Sequence, residues 1–397
     1  MKKIFYCLFS LFYALVSCSR VAEIKNNEKG NLKATDKLVL VADKKFPLDS
    51  GSAAKPQLIQ VYTDTAGRRS LVCLNTFTNS LNFYDYETLA FTKRVAYERK
   101  GPDQIMIPLG FYIKNEDSTY VYNDMQNDMV LINSKGKVLS RTSVINNMDP
   151  KKQVWTLSYP QHYPQTVTPI MELSGKLVLP GQFMWTLPDT LIHKFNFTSV
   201  MNMHDSTVQF VHNYPDSLYG FSYIWDDPLF TMVFCDAGPG KDEIIYSFPI
   251  SHNLYIADIS KPGYKVVYGG SNEAGTISSF EKPADGKISR EALNEKACLT
   301  DLYGGIKYDK YRKVYYRFLR KALPESGRKL RWEDKEVTVI IMDEHFRYLG
   351  ETSIGTMHEF YPENAFVTKE GLNIEYLDDS DVDEKFMNFK IFQPQKI

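Results

Sequence analysis

Between Gly110 and Ser143 the chain alternates short apolar runs with polar corners: GFYIKNEDSTYVYNDMQNDMVLINSKGKVLSRTS. Phe111–Ile113, Thr119–Tyr122, Asp128–Asn133 and Lys137–Thr142 are rich in β-branched and aromatic residues, and they predict four short strands. The gaps carry Asn115-Glu116-Asp117, Asn123-Asp124 and Ser134-Lys135-Gly136, residues that favour tight turns. Four strands in about 35 residues is the size of one blade of a β-propeller.

The same phrase recurs along the chain. A strand runs into Asp or Asn, a short polar turn follows, and a second strand returns. The copies are LNFYDYETLAF (81–91), MVLINSKGKVL (129–139), MNMHDSTVQF (201–210), LYIADISKPGYKVV (254–267) and VIIMDEHFRYL (339–349). Their corner residues are Asp85, Asn133, Asp205, Asp258 and Asp343, side chains short enough to hydrogen-bond the turning backbone. A sixth hairpin, 371–392, ends the chain with a longer acidic turn. The corners lie 48, 72, 53 and 85 residues apart, so insertions of unequal length separate the repeats. The pattern predicts an all-β propeller over 37–397, six-bladed in the best count, with five and seven as alternatives. Leu38–Val41 is early and β-favouring, and would supply the missing strand of the last blade. One helix is predicted, with Ser289 capping Arg290–Leu302 beside blade five.

Composition changes this picture little. The chain has 397 residues, 14% of them aromatic, which suits sheet surfaces, and a formal net charge of −1, which offers no basis for a nucleic-acid partner. The first residues matter more. Lys2 and Lys3 precede an apolar stretch, Ile4–Val16, too short for an ordinary membrane span. Leu15-Val16-Ser17-Cys18 then resembles the bacterial lipobox, in which cleavage before the cysteine precedes its lipidation. The resemblance implies a signal peptide over 1–17, a lipidated Cys18, and a polar flexible tether over 18–36. Ser19 in place of Asp, with no acidic cluster following, points to an outer-membrane lipoprotein facing the periplasm. Of the remaining cysteines, Cys73 and Cys235 sit in apolar strands and read, with Cys298, as buried free thiols, ahead of a Cys73–Cys235 bridge.

ERKGPDQI (98–105), the GFYIKNEDSTYVYND that follows, and YGGIKYDKYRKVYYRFLR (303–320) resemble uncharacterised propeller-type lipoproteins of the Bacteroidetes, a domain of unknown function. That resemblance implies fold and address and lends no chemistry.

Catalytic and cofactor signatures are absent from the sequence. Gly101-Pro102 and Gly238-Pro239-Gly240 match no phosphate loop and read as turns. There is no HExxH and no GxSxG. His204 and His212 flank a single hairpin and could converge with His252 from the next blade, but turn or surface roles suit these histidines better than zinc. Asp379, Asp381 and Asp383 have the alternate spacing of a calcium loop, yet Glu384 and Lys390 occupy positions that such a loop reserves for Gly and Glu. No metal, cofactor or catalytic residue is therefore assigned.

Two features suit ligand binding. Lys307–Arg331 holds ten Lys or Arg, and Arg312, Arg317 and Arg320 stand among tyrosines, an arrangement suited to carboxylates or phosphates. Trp155, Trp185 and Trp225 cluster in the irregular middle third with Tyr159, Tyr163, Tyr219 and Tyr223, where exposed rings stack on sugars or peptides. Solvated loops and inter-blade packing are the simpler accounts of both. The reading is a lipid-anchored envelope protein that binds a partner protein, peptide or glycan without catalysis. The alternative is a propeller-fold hydrolase or lyase acting on glycans or peptides.

Overall fold

The computed structural model describes residues 21–145, 159–185, 187–220, 223–281, 288–325, 329–378, 380–381 and 383–397. Six four-stranded antiparallel sheets follow one another along the chain, each an up-and-down meander. Blades one to five span Ile59–Ala96, Pro108–Ser143, Met171–Asn213, Phe234–Tyr268 and Leu302–Thr356. Blade six takes three strands from Phe360–Lys396 and its fourth from Asp36–Pro47, which pairs with Phe386–Lys396. The early apolar run thus closes the ring, as its pattern predicts.

Adjacent sheets are glued by side chains from their facing surfaces. Val72, Leu81, Phe111 and Val130 fill the seam between blades one and two. Tyr122, Met129, Leu177 and Leu179 fill the next seam, and Phe46, Ile59, Tyr84 and Phe389 join blade six to blade one. A strand in such a stack is buried on both faces, so its residues read as nearly continuous apolar runs.

Antiparallel order fixes the two faces of the disc. Turns between strands one and two, and three and four, emerge on one side, here called the turn face. Connections between strands two and three, and between blades, emerge on the other, the loop face. The predicted corners sit on the turn face and do what short polar side chains do there. Asp85 Oδ1 accepts from the Thr88 amide at 2.7 Å, Asn133 from Lys137 at 3.0 Å and Asp205 from Thr207 at 3.0 Å. Asp258 accepts from Ser260 at 2.8 Å and Asp343 from Arg347 at 2.9 Å.

The helix forms over Arg290–Leu299, with Ser289 Oγ accepting from the Ala292 amide. Leu302, expected in its last turn, instead begins the first strand of blade five. Lys335 takes over the helix end, donating to the carbonyls of Ala297, Cys298 and Thr300.

The expected tether is corrected over its described part. Glu23–Ile24 pairs with Ile277–Ser278 on the loop face. Asn26 Nδ2 donates to the carbonyls of Ser271 and Ala274, and Asn272 Oδ1 accepts from the Leu32 amide. A polar segment of this kind lacks the apolar residues that announce a core element, and side-chain hydrogen bonds hold it instead. Cys18 and the signal segment lie outside the described residues.

Candidate functional site

The ring axis is closed. The connection between blades two and three crosses it, and Thr166, Val167 and Thr168 are buried there. Thr166 Oγ1 accepts from the Ile59 amide of blade one and donates to Asn364 Oδ1 of blade six. Lys307 of blade five donates to the Thr166 carbonyl. Two glycines admit the crossing chain: a Cβ on Gly305 would lie 2.5 Å from Val167, and one on Gly110 would lie 2.6 Å from Pro164. The protein's own backbone thus occupies the place where a propeller-fold enzyme would gather catalytic groups around the axis.

Two recesses bear on function. One of about 590 Å³ opens on the turn face between blades one and two, walled by Leu81, Phe83, Val95 and Ile132. Three of its four acids are already engaged: Asp64 and Asp85 hold their own turns, and Asp117 holds Ser134. The other, about 440 Å³, opens on the loop face where blades five, six and one meet. Lys55, Glu333, His358, Glu375, Asp378 and Asn388 are among its lining residues. A neighbouring recess of about 300 Å³ shares Lys55 with it and extends past Tyr361 towards Phe77. The larger volume is the less informative one, because most of its acids hold turns, whereas the loop-face cleft contains a buried side-chain oxygen that is not spent in this way.

Glu375 is one of the residues lining that cleft. It lies on the second strand of blade six, Gly371–Tyr376, and is 1% exposed. Its Oε2 accepts from Asn364 Nδ2 at 2.7 Å, and the same amide donates to the Pro56 carbonyl at 2.7 Å. A hydrogen-bonded chain therefore runs from the axial crossing through Thr166 and Asn364 to the cleft. Burial drives the Glu375 carboxyl up to about 8, against the smaller opposing effects of the Asn364 hydrogen bond and the Lys55 charge. At neutral pH it is a carboxylic acid. Asn388, also lining the cleft, is 7% exposed, and among the described residues its Oδ1 has no hydrogen-bond partner.

The raised pKa carries a stability consequence. The unfolded carboxyl ionises near 4.5 and the folded one only near 8, so the folded state holds the extra proton between those values. Stability contributed by this group is therefore full below the lower value and declines as pH rises through the window. Glu375→Gln keeps the Asn364 hydrogen bond and removes the titration. We expect equal stability of the two proteins near pH 4.5 and a gain for the variant that grows to a few kcal/mol, as an order of magnitude, by pH 8. Urea unfolding across this range checks it; parallel curves would show that the carboxyl ionises freely.

The residues singled out from sequence do not form one site. Arg317 is fully buried, with its guanidinium spent on Ser247 and on main-chain carbonyls, and it cannot be presented to a ligand. Arg320 is 5% exposed, paired with Glu363 and set against the Trp332 ring. Arg312 sits at the opposite end of the strand, on the turn face, bound to Asp309 and the Lys369 carbonyl. A strand rise of about 3.3 Å per residue separates Arg312 from Arg320 by roughly 25 Å. Trp225 is core, donating its indole N–H to the Leu218 carbonyl and packing on Phe230. Trp185 is 49% exposed on the loop face, and Trp155 lies outside the described residues. His212 pairs with Tyr246 and His252 with Tyr303, each buried in its own seam. Among the described residues no three His, Cys, Asp or Glu side chains converge as a metal ion would require. Cys73, Cys235 and Cys298 are buried and free.

Six antiparallel blades, a ring closed by an N-terminal strand and a blocked axis define a six-bladed β-propeller with its open cleft on the loop face. Residues 30–353 match the model of a domain of unknown function, DUF4221, and the chain belongs to that family. It is similar to the crystal structure of a DUF4221 member from Bacteroides vulgatus, with a TM-score of 0.75 at 18% identity, covering 91% of this chain and 99% of that one. A candidate exported protein from Bacteroides fragilis is similar with a TM-score of 0.51 at 11% identity, covering 91% and 95% of the two chains. Both likenesses are of fold. No curated protein matches the chain.

Proposed function

We propose that this is a lipid-anchored, non-enzymatic protein of the cell envelope that binds a partner protein or peptide in the loop-face cleft. The observation that carries the reading is the contrast between the two places where propellers bind. The axis is filled by Thr166–Thr168, and the rim cleft is open with a buried side-chain oxygen unspent. The lipobox-like Leu15–Cys18 supports the anchor, and the description of the Bacteroides fragilis neighbour as a candidate exported protein agrees with an envelope address. Exposed Phe77, Met125 and Trp185 add apolar surface to the same face.

A photo-crosslinking residue at Ala54 or Leu377, beside the cleft, should give a discrete adduct in intact cells, whereas one at Lys310 on the turn face should not. Cys18→Ser should move the protein from the membrane to the soluble fraction. Equal labelling from both faces, or none, overturns the binding reading. A hydrolase or lyase is the second reading, and Glu375 is the observation that favours it, since a buried carboxylic acid protonated at neutral pH is equipped to act as a general acid. Turnover of an envelope glycan or peptide, lost in Glu375→Gln, would establish it.

A further inference from the structure

We infer that the loop face between blades four and five rests against the lipid bilayer, held there by the docked N-terminal arm and the short link from it to Cys18. The inference rests on the lipid anchor of the reading above and adds which side of the disc the membrane meets. Two observations carry it.

The first is where the arm is fastened. Asp36, the start of the outer strand of blade six, lies eighteen positions beyond Cys18. A free link of that length reaches as far as about 60 Å, enough to turn any face towards the membrane. The arm is not free. The Ala22 carbonyl accepts from the Ser279 amide at 2.9 Å, and Glu23 and Ile24 pair with Ser278 and Ile277. Ile24 also packs on the apolar core that runs from blade three to blade five. Asn26 bonds the Ser271 and Ala274 carbonyls through Nδ2 and accepts from the Tyr268 hydroxyl at 2.9 Å. Farther on, the Gly30 amide donates to the Asn272 carbonyl and the Thr35 amide to that of Leu349. The partners of Ala22 to Gly30 all belong to the loop-face connection between blades four and five, or to the strand end that leads into it.

Cys18 lies outside the described residues, yet only four residues carry the chain from it to Ala22, and by any path they span at most about 14 Å. The innermost strand of blade five, Leu302–Asp309, crosses the disc over about 25 Å at the rise of a strand. A lipid seated in the membrane therefore brings the loop face to it and keeps the turn face away.

The second is the chemistry of the face itself. Among the described residues, Phe77, Ile107, Met125, Tyr163 and Trp185 are exposed large apolar side chains on loop-face connections, whereas the turns of the opposite face offer Tyr311 alone. Trp185 belongs to the same patch as the arm. Its ring stands against Phe183, and the Phe183 carbonyl accepts from Thr231. Neighbouring Phe230 packs on Phe280, the residue after Ser279. Tryptophan and tyrosine rings suit the headgroup level of a bilayer. Charge does not decide the contact, since exposed Lys25 and Arg290 stand beside exposed Glu23 and Glu291. The cleft proposed above opens on the same face, so a partner entering it comes from the bilayer side.

The test uses the full chain made with its own leader, its lipid checked at Cys18 by mass spectrometry. It is added to preformed phosphatidylethanolamine–phosphatidylglycerol vesicles that carry an acceptor dye on the lipid headgroup. A donor dye is placed at Glu291→Cys on the loop-face helix or at Lys310→Cys on the turn face, both exposed positions, while the native Cys73, Cys235 and Cys298 are buried. With a dye pair working over about 30 Å, transfer is expected to be at least about twofold greater from the loop-face label, given the roughly 25 Å between the faces. Inserting about fifteen Gly and Ser residues after Arg20 keeps every arm contact, extends the reach of the link to about 65 Å and should bring the two signals together. Ile24→Asp with Asn26→Ala should do the same by undocking the arm. Equal transfer from the two labels in the unmodified link, greater transfer from Lys310→Cys, or a contrast that the insertion does not reduce overturns the inference. If Cys18 carries no lipid, the anchor reading falls and the contact with it. A lipidated chain with equal transfer leaves the anchor and the cleft standing, and only the orientation falls.

Discussion

Replacing Arg317 with methionine should lower stability by at least about 3–5 kcal/mol, the range observed when one partner of a buried charged network is removed. Arg317 is 0% exposed and, among the described residues, has no carboxylate partner. Its charge is carried by oxygens instead. Nε donates to Ser247 Oγ at 2.9 Å, Nη1 to the Gly269 and His252 carbonyls at 3.0 and 3.3 Å, and Nη2 to the Ser251 and Phe248 carbonyls at 2.8 and 3.4 Å. The guanidinium also lies 3.9 Å from the Tyr303 ring centroid. Burial draws its pKa down to about 10, which leaves it protonated at neutral pH. Methionine fills much of the volume and serves none of the acceptors, so four main-chain carbonyls in the seam between blades four and five lose a donor. Each such loss costs about 1–3 kcal/mol in a buried setting. Lysine would not rescue it, since a single ammonium cannot span a fork of five acceptors. Arg68→Met is the comparison: it breaks one largely exposed pair, with Asp64, and should cost far less, since exposed pairs contribute little in water. Urea unfolding measures both, with the midpoint moving and the slope retained. A loss below about 1 kcal/mol for Arg317→Met would mean that water reaches those carbonyls.

The same residue shows where the sequence stops being legible. In VYYRFLR, simple alternation offers Arg317 to an outer surface. Val314–Arg320 is instead an interior strand with both faces against neighbouring blades, and every one of its residues is buried. Period two still describes the strand but no longer separates inside from outside. The tryptophans divide for a similar reason: ring size announces contact area, and only tertiary packing decides whether that area meets Phe230, as for Trp225, or solvent, as for Trp185.

What was legible was local. Asp85, Asn133, Asp205, Asp258 and Asp343 each accept from an amide within four residues, so a short window contains the whole interaction. The Ser289 cap is of the same kind. Glu375 belongs to the opposite class. In GLNIEY it looks like the polar half of an alternating strand, and its environment comes from Asn364, Pro56 and Thr166, the last more than 200 residues away. A signal for it does exist: Asn373 and Glu375 alternate with Leu372 and Ile374 in a strand whose neighbours leave no room for a solvent face. The N-terminal arm was misjudged because polar composition argues for solvation, and side-chain hydrogen bonds from Asn26 and Asn272 are not visible in composition.

Removing residues 1–47 should have the other large effect, because it deletes the strand that closes the circle. Asp36–Pro47 pairs with the last strand from Asp36 opposite Lys396 to Pro47 opposite Phe386. Leu38 and Phe46 are buried in the seams on either side of blade six. Losing the two side chains alone removes about 1.5–3 kcal/mol each. The larger consequence is the edge of Phe386–Lys396, left with unpaired amides and carbonyls over its full length and free to recruit another chain. A protein starting at residue 48 is therefore expected to aggregate or to melt without a cooperative transition at ordinary temperatures. A synthetic peptide of residues 36–47, added in excess, should restore a monomer with a single melting transition, since strand addition re-forms the deleted ladder. Starting the chain at residue 34 separates this effect from that of the arm: the strand is kept, the Asn26 and Leu32 contacts go, and the expected cost is only about 1–2 kcal/mol. Size-exclusion chromatography and thermal melts distinguish the three proteins. A monomeric, cooperatively melting protein from residue 48 would mean that the inter-blade seams alone hold the ring, and that the pairing of the two ends follows from the fold without securing it.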